Sequence, residues 1–359
     1  MSRYNRHIIL SEIGQQGQDK LSKAKVLVIG AGGLGCPVLQ YLTAAGIGTL
    51  GIIDFDVVEE SNLQRQVLFG TSSLGENKAL AAKQRLEDLN SKINIVAYPE
   101  MLSSQNALVL FEQYDIIVDG SDNFSTRYLV NDAAILSGKP FVYGAIYKFE
   151  GQVSVFNYNN GPSYRCLFSS PPKGGSVANC SEVGVLGVLP GIIGTMMANE
   201  VIKIILEFEH VLSGKLLCYN SRTTQMSTLK INKKQIEIDK VLDNKQLSDI
   251  YEIEDCETFV NEISHHELSI LNDFQFIDVR EPDEQPKLEV DNCIAIPIDK
   301  LESRLNELDI HKVQVLFCQS GMRSKKAAKM LLENKFKNVY SFKDGIHPLI
   351  EALKTKVYE

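Results

Sequence analysis

The sequence predicts an α/β protein in two parts, a doubly wound, mixed-sheet domain followed by a small second α/β domain. Three observations predict it. Short apolar runs such as KVLVIG, TLGIIDFD and DIIVDGSD alternate with helix-like runs, the pattern of a parallel sheet covered on both faces. PFVYGAIYKFEGQVSVFNY then alternates like an antiparallel hairpin, which makes the sheet mixed. Beyond a charged stretch, FQFIDVREPDE, CIAIPIDKL, VQVLFCQSGMRS and NVYSFKDG begin an α/β pattern afresh. The expected boundaries are residues 1–235 for the first domain, 236–254 for a linker and 255–359 for the second domain.

Each element has its own justification. KVLVIG (Lys25 to Gly30) is apolar throughout, as a buried parallel strand is, and a helix-like run follows it. TLGIIDFD (Thr49 to Asp56) is a second strand. NKALAAKQRLEDLN has helical spacing, INIVAYP reads as a strand and SSQNALVLFEQY as a helix. DIIVDGSD (Asp115 to Asp122) is a short strand that ends in acidic residues.

Composition excludes several function classes. Hydrophobic and charged contents of 44% and 23% over 359 residues are those of a globular chain with room for two domains. The formal net charge is −8 and no basic run is present, so nucleic acid is not an expected partner. Seven scattered cysteines, an odd number, make no disulfide framework, and a reducing, cytoplasmic compartment is expected. MSRYNRHIIL lacks the apolar region of a secretory leader. The uncharged run VGVLGVLPGIIGTMMA (Val183 to Ala198) is shorter than the roughly 20 residues of a membrane span. Pro190 breaks it and Glu200 and Lys203 follow it, so a buried packing or dimer-interface helix is expected, and no membrane association.

VIGAGGLG follows a strand and opens a helix. Gly30, Gly32 and Gly35 fit G-x-G-x-x-G, which lets backbone N–H groups approach phosphate at a helix N-terminus in a Rossmann-like sheet. Asp54 ends the next strand, where a carboxylate binds a ribose hydroxyl. This much serves a nicotinamide dehydrogenase equally well. DFDVVEESNLQRQ and GENKA then add Asp56, Asn62, Arg65 and Lys78. Cations and an amide here suit a triphosphate on which charge develops. Asp122 of DGSDN ends a strand in the same crevice, where a carboxylate holds magnesium.

RYNRHIIL, VLVIGAGGLG, DFDVVEESNLQRQ and GSDN-x-x-x-R, in this order, resemble the adenylating domain of the MoeB/ThiF family, which ubiquitin-activating enzymes share; YRCLF and NCSEVGVLGVLPGIIG continue the match. The resemblance implies that Gly32, Gly33 and Gly35 lie under the phosphates of ATP and that Asp54 holds its ribose. It implies phosphate contacts from Asn62, Arg65 and Lys78, and magnesium on Asp122. Arg6 is similar to an arginine that reaches the neighbouring subunit's phosphates, which implies a homodimer. The implied reaction attaches AMP to the C-terminal glycine of a ubiquitin-like sulfur carrier ending in Gly-Gly.

The chain departs from that family at its zinc site. Relatives carry two C-x-x-C pairs; here Ser163 stands in the first position of SYRC, only Cys166 is left, and no cysteine of a second pair occurs before Cys256. No structural zinc is expected, and Cys166 is expected to be a small buried or loop side chain. Cys180, in GGSVANCSEVG, matches the cysteine that forms a thioester or acyl disulfide with the carrier in relatives. Cys36, Cys218 and Cys293 are expected in the core.

CQSGMRS, at a strand end before a helix, resembles the active loop of rhodanese sulfurtransferases, with FIDVREPDE and KDGIHPL as its flanking motifs. Inward-pointing N–H groups and a helix N-terminus stabilise a thiolate and then a persulfide on Cys318. Arg323 is expected to close the loop and add positive charge, and Asp278 and Arg280 to orient it. Cys318 to Arg323 is C-x4-R, one residue shorter than the C-x5-R of cysteine phosphatases, which suits one sulfur atom. The family's H-x-x-G-A segment is replaced by LEVDNCIAIP.

Together these readings describe an ATP- and Mg2+-dependent adenylyltransferase with sulfurtransferase activity. It would make a carrier thiocarboxylate for molybdopterin, thiamine or a related cofactor, with sulfur from a donor such as a cysteine desulfurase. The alternatives are a nucleotide-binding regulatory or scaffold protein with a degenerate sulfurtransferase tail, and a nicotinamide oxidoreductase.

Overall fold

The computed structural model describes residues 3–171, 184–249, 260–264, 267–268, 274–288, 290, 292–310, 312–334 and 336–355. The chain divides by its contacts into two compact units, Met1–Ile253 and Glu254–Glu359.

The first unit is built on one eight-stranded sheet. β1 (Lys25–Ile29), β2 (Thr49–Ile53), β3 (Asn94–Tyr98), β4 (Ile116–Asp119) and β5 (Phe141–Tyr147) run parallel. β6 (Glu150–Phe156), β7 (Lys215–Asn220) and β8 (Gln225–Lys230) extend the sheet antiparallel, in the order β3-β2-β1-β4-β5-β6-β7-β8. β1 lies between β2 and β4, whose crossovers leave in opposite directions, and a crevice opens at such a switch point. The strands of this half are β-branched and buried on both faces: Val26 and Val28 face one core, Leu27 and Ile29 the other.

Helices start where short polar side chains cap them. Asn77 accepts the Leu80 N–H at 3.2 Å before helix Lys78–Leu89. Asn123 accepts the Thr126 N–H at 2.8 Å before helix Phe124–Ser137. Both caps fix a residue of the crevice, Lys78 and Arg127. Helix Val188–Ile205 carries the apolar run singled out in the sequence. Among the described residues it is the one helix long and apolar enough to cross a membrane, and half of it is buried. Leu189, Ile193, Met197 and Val201 belong to the core under β5 and β6; truncating such a side chain to alanine costs about 2–5 kcal/mol.

Within the stretch expected as a linker, Gln235–Asn244 is a helix, and its Ile238 and Val241 are buried in the first unit's core. Asp249 further accepts the Ser104 hydroxyl at 2.8 Å.

The second unit has a five-stranded, all-parallel sheet. Its strands are β9 (Asn261–Ile263), β10 (Phe274–Asp278), β11 (Cys293–Ala295), β12 (Val313–Phe317) and β13 (Val339–Phe342), in the order β11-β10-β12-β13-β9. Alternate residues serve opposite faces. Ile277 and Leu316 pack with Ala327 and Leu331 on one side, and Phe276, Phe317 and Phe342 pack with Leu349 on the other.

Candidate functional site

In the first unit the chain turns sharply at the end of β1. Gly30 has φ +85°, and at Gly35 a Cβ would overlap the Gly30 carbonyl oxygen. Only glycine lets helix Gly35–Ala45 begin this close to the strand. Over the carboxyl ends of β1, β2 and β4 lies a cavity of about 480 Å³. Gly32, Gly33, Asp54 and Asp56 line it, as do Arg65, Lys78 and Asp122. Residues scattered over 91 positions of sequence (122 − 32 + 1) therefore share one wall.

Three other expected residues lie off that wall. Gly35 sits one step behind it, packed on Gly30. Asn62 is buried and braces its own turn, its Oδ1 accepting the Glu59 N–H at 3.4 Å and its Nδ2 donating to Ser61 Oγ at 3.3 Å. Arg6 is exposed on helix Asn5–Ile8.

The cavity's charges are partly prearranged. Asp54 accepts the Ala31 N–H at 2.7 Å and the Asp56 N–H at 2.9 Å, so one carboxylate braces the glycine loop and the turn after β2. Burial raises its pKa, and the Ala31 N–H opposes the shift. Lys78 is buried, with its Nζ 3.1 Å from Asp56 Oδ2. Arg65 donates to the Ser61 carbonyl at 3.0 Å. Asp122 is exposed, three residues beyond β4, which stops at Asp119 rather than running to Asp122 as expected. Arg65, Lys78 and the glycine loop that leads into helix Gly35–Ala45 line the same space, the kind of groups a polyphosphate takes. Asp122 is a hard oxygen donor, and magnesium characteristically takes one or two carboxylates together with phosphate oxygens; the donor set fits that ion.

Two neighbours had no role in the sequence reading. Gln66, in the quoted NLQRQ, is buried on the cavity wall with its Oε1 unpartnered. Arg127, the arginine of GSDN-x-x-x-R, is also buried and on the wall. The motif contained both residues, but spacing alone carries no sign of an unpartnered polar atom.

In the second unit Cys318 follows β12 and is 1% exposed. Its Sγ lies 3.7 Å from Ser324 Oγ, which accepts from the Ser341 hydroxyl at 3.0 Å and donates to the Gly321 carbonyl at 2.8 Å. Gly321 has φ +85° and no room for a Cβ beside the Lys343 carbonyl, so glycine is required where the loop turns into helix Met322–Glu333. Arg323 departs from expectation in one respect. Both its terminal nitrogens donate to Glu284, at 2.6 and 2.7 Å. It ties the loop to the segment after β10, and its charge is matched there. The same bonds hold the Glu284 carboxyl at about 2, well below the usual range. Arg280 donates to both Asp278 oxygens, at 2.9 and 2.7 Å, and to Gln319 Oε1 at 3.4 Å.

The Ser163–Cys166 turn, where the first of the expected zinc pairs would stand, is closed by hydrogen bonds. The Cys166 Sγ receives the N–H groups of Ser163 and Lys234, each at 3.3 Å, and both Ser163 and Cys166 are buried. One thiol among backbone groups does not supply four ligands, so the residues present do not fit zinc. Among the described residues no cluster of three or more His, Cys, Asp or Glu is arranged for a metal. Cys36 is buried, and burial pushes its thiol up to about 12. Cys218 and Cys293 were expected in the core; they are half-buried at its margin, because each lies on a strand whose outer side is only partly covered. Cys180 and Cys256 lie outside the described residues.

Residues 4–239 match the ThiF family and residues 264–351 match the rhodanese-like domain. A Thermus thermophilus protein named sulfur carrier protein adenylyltransferase is 51% identical over 65% of this chain and 88% of its own length. A Mycobacterium tuberculosis protein named probable adenylyltransferase/sulfurtransferase MoeZ is 40% identical over 96% of this chain and 92% of its own. Among solved structures, that of the microcin C7 biosynthetic enzyme MccB in complex with N-formylated MccA is similar, with a TM-score of 0.57 and 24% identity over 66% of this chain and 74% of that one, a likeness of fold.

Proposed function

The chain belongs to the ThiF family and carries a C-terminal rhodanese-like domain; from that premise we propose how its two units divide one reaction. It is an ATP-using adenylyltransferase and sulfurtransferase acting on a sulfur carrier protein. The observation that carries the detailed reading is the convergence of Gly32, Gly33, Asp54, Arg65, Lys78 and Asp122 on one cavity.

Asp54 takes the ribose, the glycine loop takes the phosphates, and Arg65 and Lys78 neutralise the charge that develops as pyrophosphate leaves. Asp122 holds magnesium, which when bound neutralises phosphate oxygens. A terminal carboxylate oxygen of the carrier attacks the α-phosphorus; the bond to the bridging oxygen breaks and pyrophosphate departs with the electron pair. A carboxylate is a poor electrophile, and the acyl adenylate has a good leaving group.

Cys318, loaded as a persulfide by a donor such as a cysteine desulfurase, attacks the acyl carbon and expels AMP, giving an acyl disulfide. Attack by a thiolate on the Cys318 sulfur then releases the carrier thiocarboxylate and leaves a protein disulfide, which external thiol reduces. Cys180 is the proposed attacking thiol. Asn62 contacts the phosphates once the nucleotide is bound, and Arg6 completes the site of a partner copy in a homodimer. The thiocarboxylate serves a sulfur-containing cofactor such as molybdopterin or thiamine.

The test is ATP–pyrophosphate exchange with and without a carrier ending in Gly-Gly. Exchange that depends on the carrier supports the reading; exchange indifferent to every such carrier overturns it. A regulatory or scaffold role would predict nucleotide binding with no exchange.

A further inference from the structure

Arg127 has no task in the reaction as described, yet its surroundings are unusual. It is the fourth residue of helix Phe124–Ser137, five positions beyond Asp122, and is 9% exposed. Its Nε has no hydrogen-bond partner, and its Nη2 reaches only the Ser121 carbonyl, at 3.4 Å. Among the described residues no carboxylate comes within ion-pair distance of it. The guanidinium instead lies 5.4 Å from the Phe124 ring centroid and 5.6 Å from that of Tyr143. Ring faces replace part of its hydration but leave the Nε donor unused. A buried, unpaired cation is costly unless a counter-ion arrives. The nearest acids, Asp119 and Asp122, act on the guanidinium from beyond ion-pair distance; Asp119 gives its Oδ1 to the Ser121 N–H and hydroxyl, at 3.0 and 2.6 Å, and its buried Oδ2 has no partner, so neither acid uses the free Nε donor.

Arg127 also lines the cavity, and its position there narrows the choice of anion. The phosphate-facing groups come from the β1 and β2 side of the switch point: the glycine loop, Arg65 and Lys78. Arg127 comes from the other side, from the end of β4, beside Asp122. A carboxylate nucleophile approaching an anionic α-phosphate next to Asp122 is repelled by both. A cation on its own side of the crevice removes that repulsion, and the guanidinium fork matches a carboxylate's two oxygens.

We propose that Arg127 receives the terminal carboxylate of the carrier and aims one of its oxygens at the α-phosphorus. The proposal rests on the carrier-adenylation reading. Arg127 stays protonated throughout; the carboxylate oxygen forms the new bond to phosphorus, and pyrophosphate takes the electron pair of the bond that breaks.

The experiment compares a carrier ending in Gly-Gly with the same carrier ending in glycinamide. Both are bound to the full chain in the presence of α,β-methylene-ATP. Arg127→Gln is expected to weaken the acid-ended carrier by about 10-fold or more and the amide-ended carrier by no more than about 2-fold, since the lost interaction is a charge-assisted pair. Affinity for the nucleotide analogue is expected to stay within about 2-fold, and Arg127→Lys to recover part of the acid-ended binding, as a point charge replaces the fork. Equal weakening of both carriers, or an equal loss of nucleotide affinity, overturns the proposal. If Arg127→Gln does not fold, phenylglyoxal modification of Arg127 in the unaltered chain decides, read by peptide mass mapping. Protection by the acid-ended and not the amide-ended carrier supports the role, and equal protection by both overturns it. Failure of the unaltered enzyme to exchange pyrophosphate with the acid-ended carrier would instead overturn the function on which the proposal rests.

Discussion

Lys78 and Asp56 meet at 3.1 Å, with the lysine buried and the aspartate half exposed. The ammonium is thus held at the cavity wall before any phosphate arrives, by a partner that water screens. A buried cation fixed in this way needs little reorganisation when charge develops beside it. Lys78→Ala is expected to lower carrier-dependent pyrophosphate exchange by about 100- to 1,000-fold, the usual loss for one preorganised electrostatic group. Exchange kinetics at saturating ATP measure it; a change confined to the ATP KM would show that Lys78 only binds.

Asp122→Ala is expected to cut exchange by orders of magnitude, since it removes the carboxylate that fits magnesium. The magnesium concentration for half-maximal exchange is the second readout. A variant with unaltered exchange would remove Asp122 from the site.

Thiol substitutions are expected to separate the two chemistries. Cys318→Ser keeps adenylation and loses sulfur transfer from thiosulfate or a persulfide donor, because a serine hydroxyl carries no sulfane sulfur. Cys180→Ser keeps adenylation and persulfide formation and slows thiocarboxylate release. Intact-mass spectrometry of enzyme and carrier after one turnover reads both. Full thiocarboxylate from Cys318→Ser would exclude the second unit as the sulfur source.

The hydrogen bonds around Cys166 lead to a prediction about metal content. Protein purified without added metal is expected to hold no stoichiometric zinc, because one thiol braced by the Ser163 and Lys234 N–H groups offers no tetrahedral set. Elemental analysis giving about one zinc per chain, the occupancy of a structural site, would contradict it.

Glu284 is held at about 2, against an ordinary 4.5, chiefly by the hydrogen bonds of Arg323. A carboxylate depressed in the folded protein stabilises fully above its unfolded pKa and loses that contribution as pH falls through the folded one. The Arg323 clamp should therefore be constant from neutral pH down to about 5 and disappear between there and about 2. Thermal melting of the second unit against pH measures this. Glu284→Gln should flatten the acid limb, and an unchanged limb would show the pair to be without effect.

Much of this was legible from sequence because glycines and strand-end acids leave period and spacing behind them. The glycine loop, the β5–β6 hairpin and the Cys318 loop all stand where their patterns put them. Exposure and partner choice were less legible. Nothing in CQSGMRS says that Arg323 turns to a carboxylate 39 residues earlier. Nor does NKKQIEIDKVLDN announce that two of its four apolar positions, Ile238 and Val241, belong to the preceding core, since a charged amphipathic turn reads the same in a linker. The unpartnered Nε of Arg127 is a property of its neighbours in space.

The separate cores bear on how the chain unfolds. Each of the two compact units, Met1–Ile253 and Glu254–Glu359, has buried apolar clusters of its own among the described residues. Cooperativity follows shared packing, and a chain whose two units each bury cores of their own is expected to melt in more than one step. Calorimetry should resolve two transitions, the calorimetric enthalpy exceeding the van't Hoff value for the whole, so that a single melting temperature describes one half of the molecule and is silent about the other.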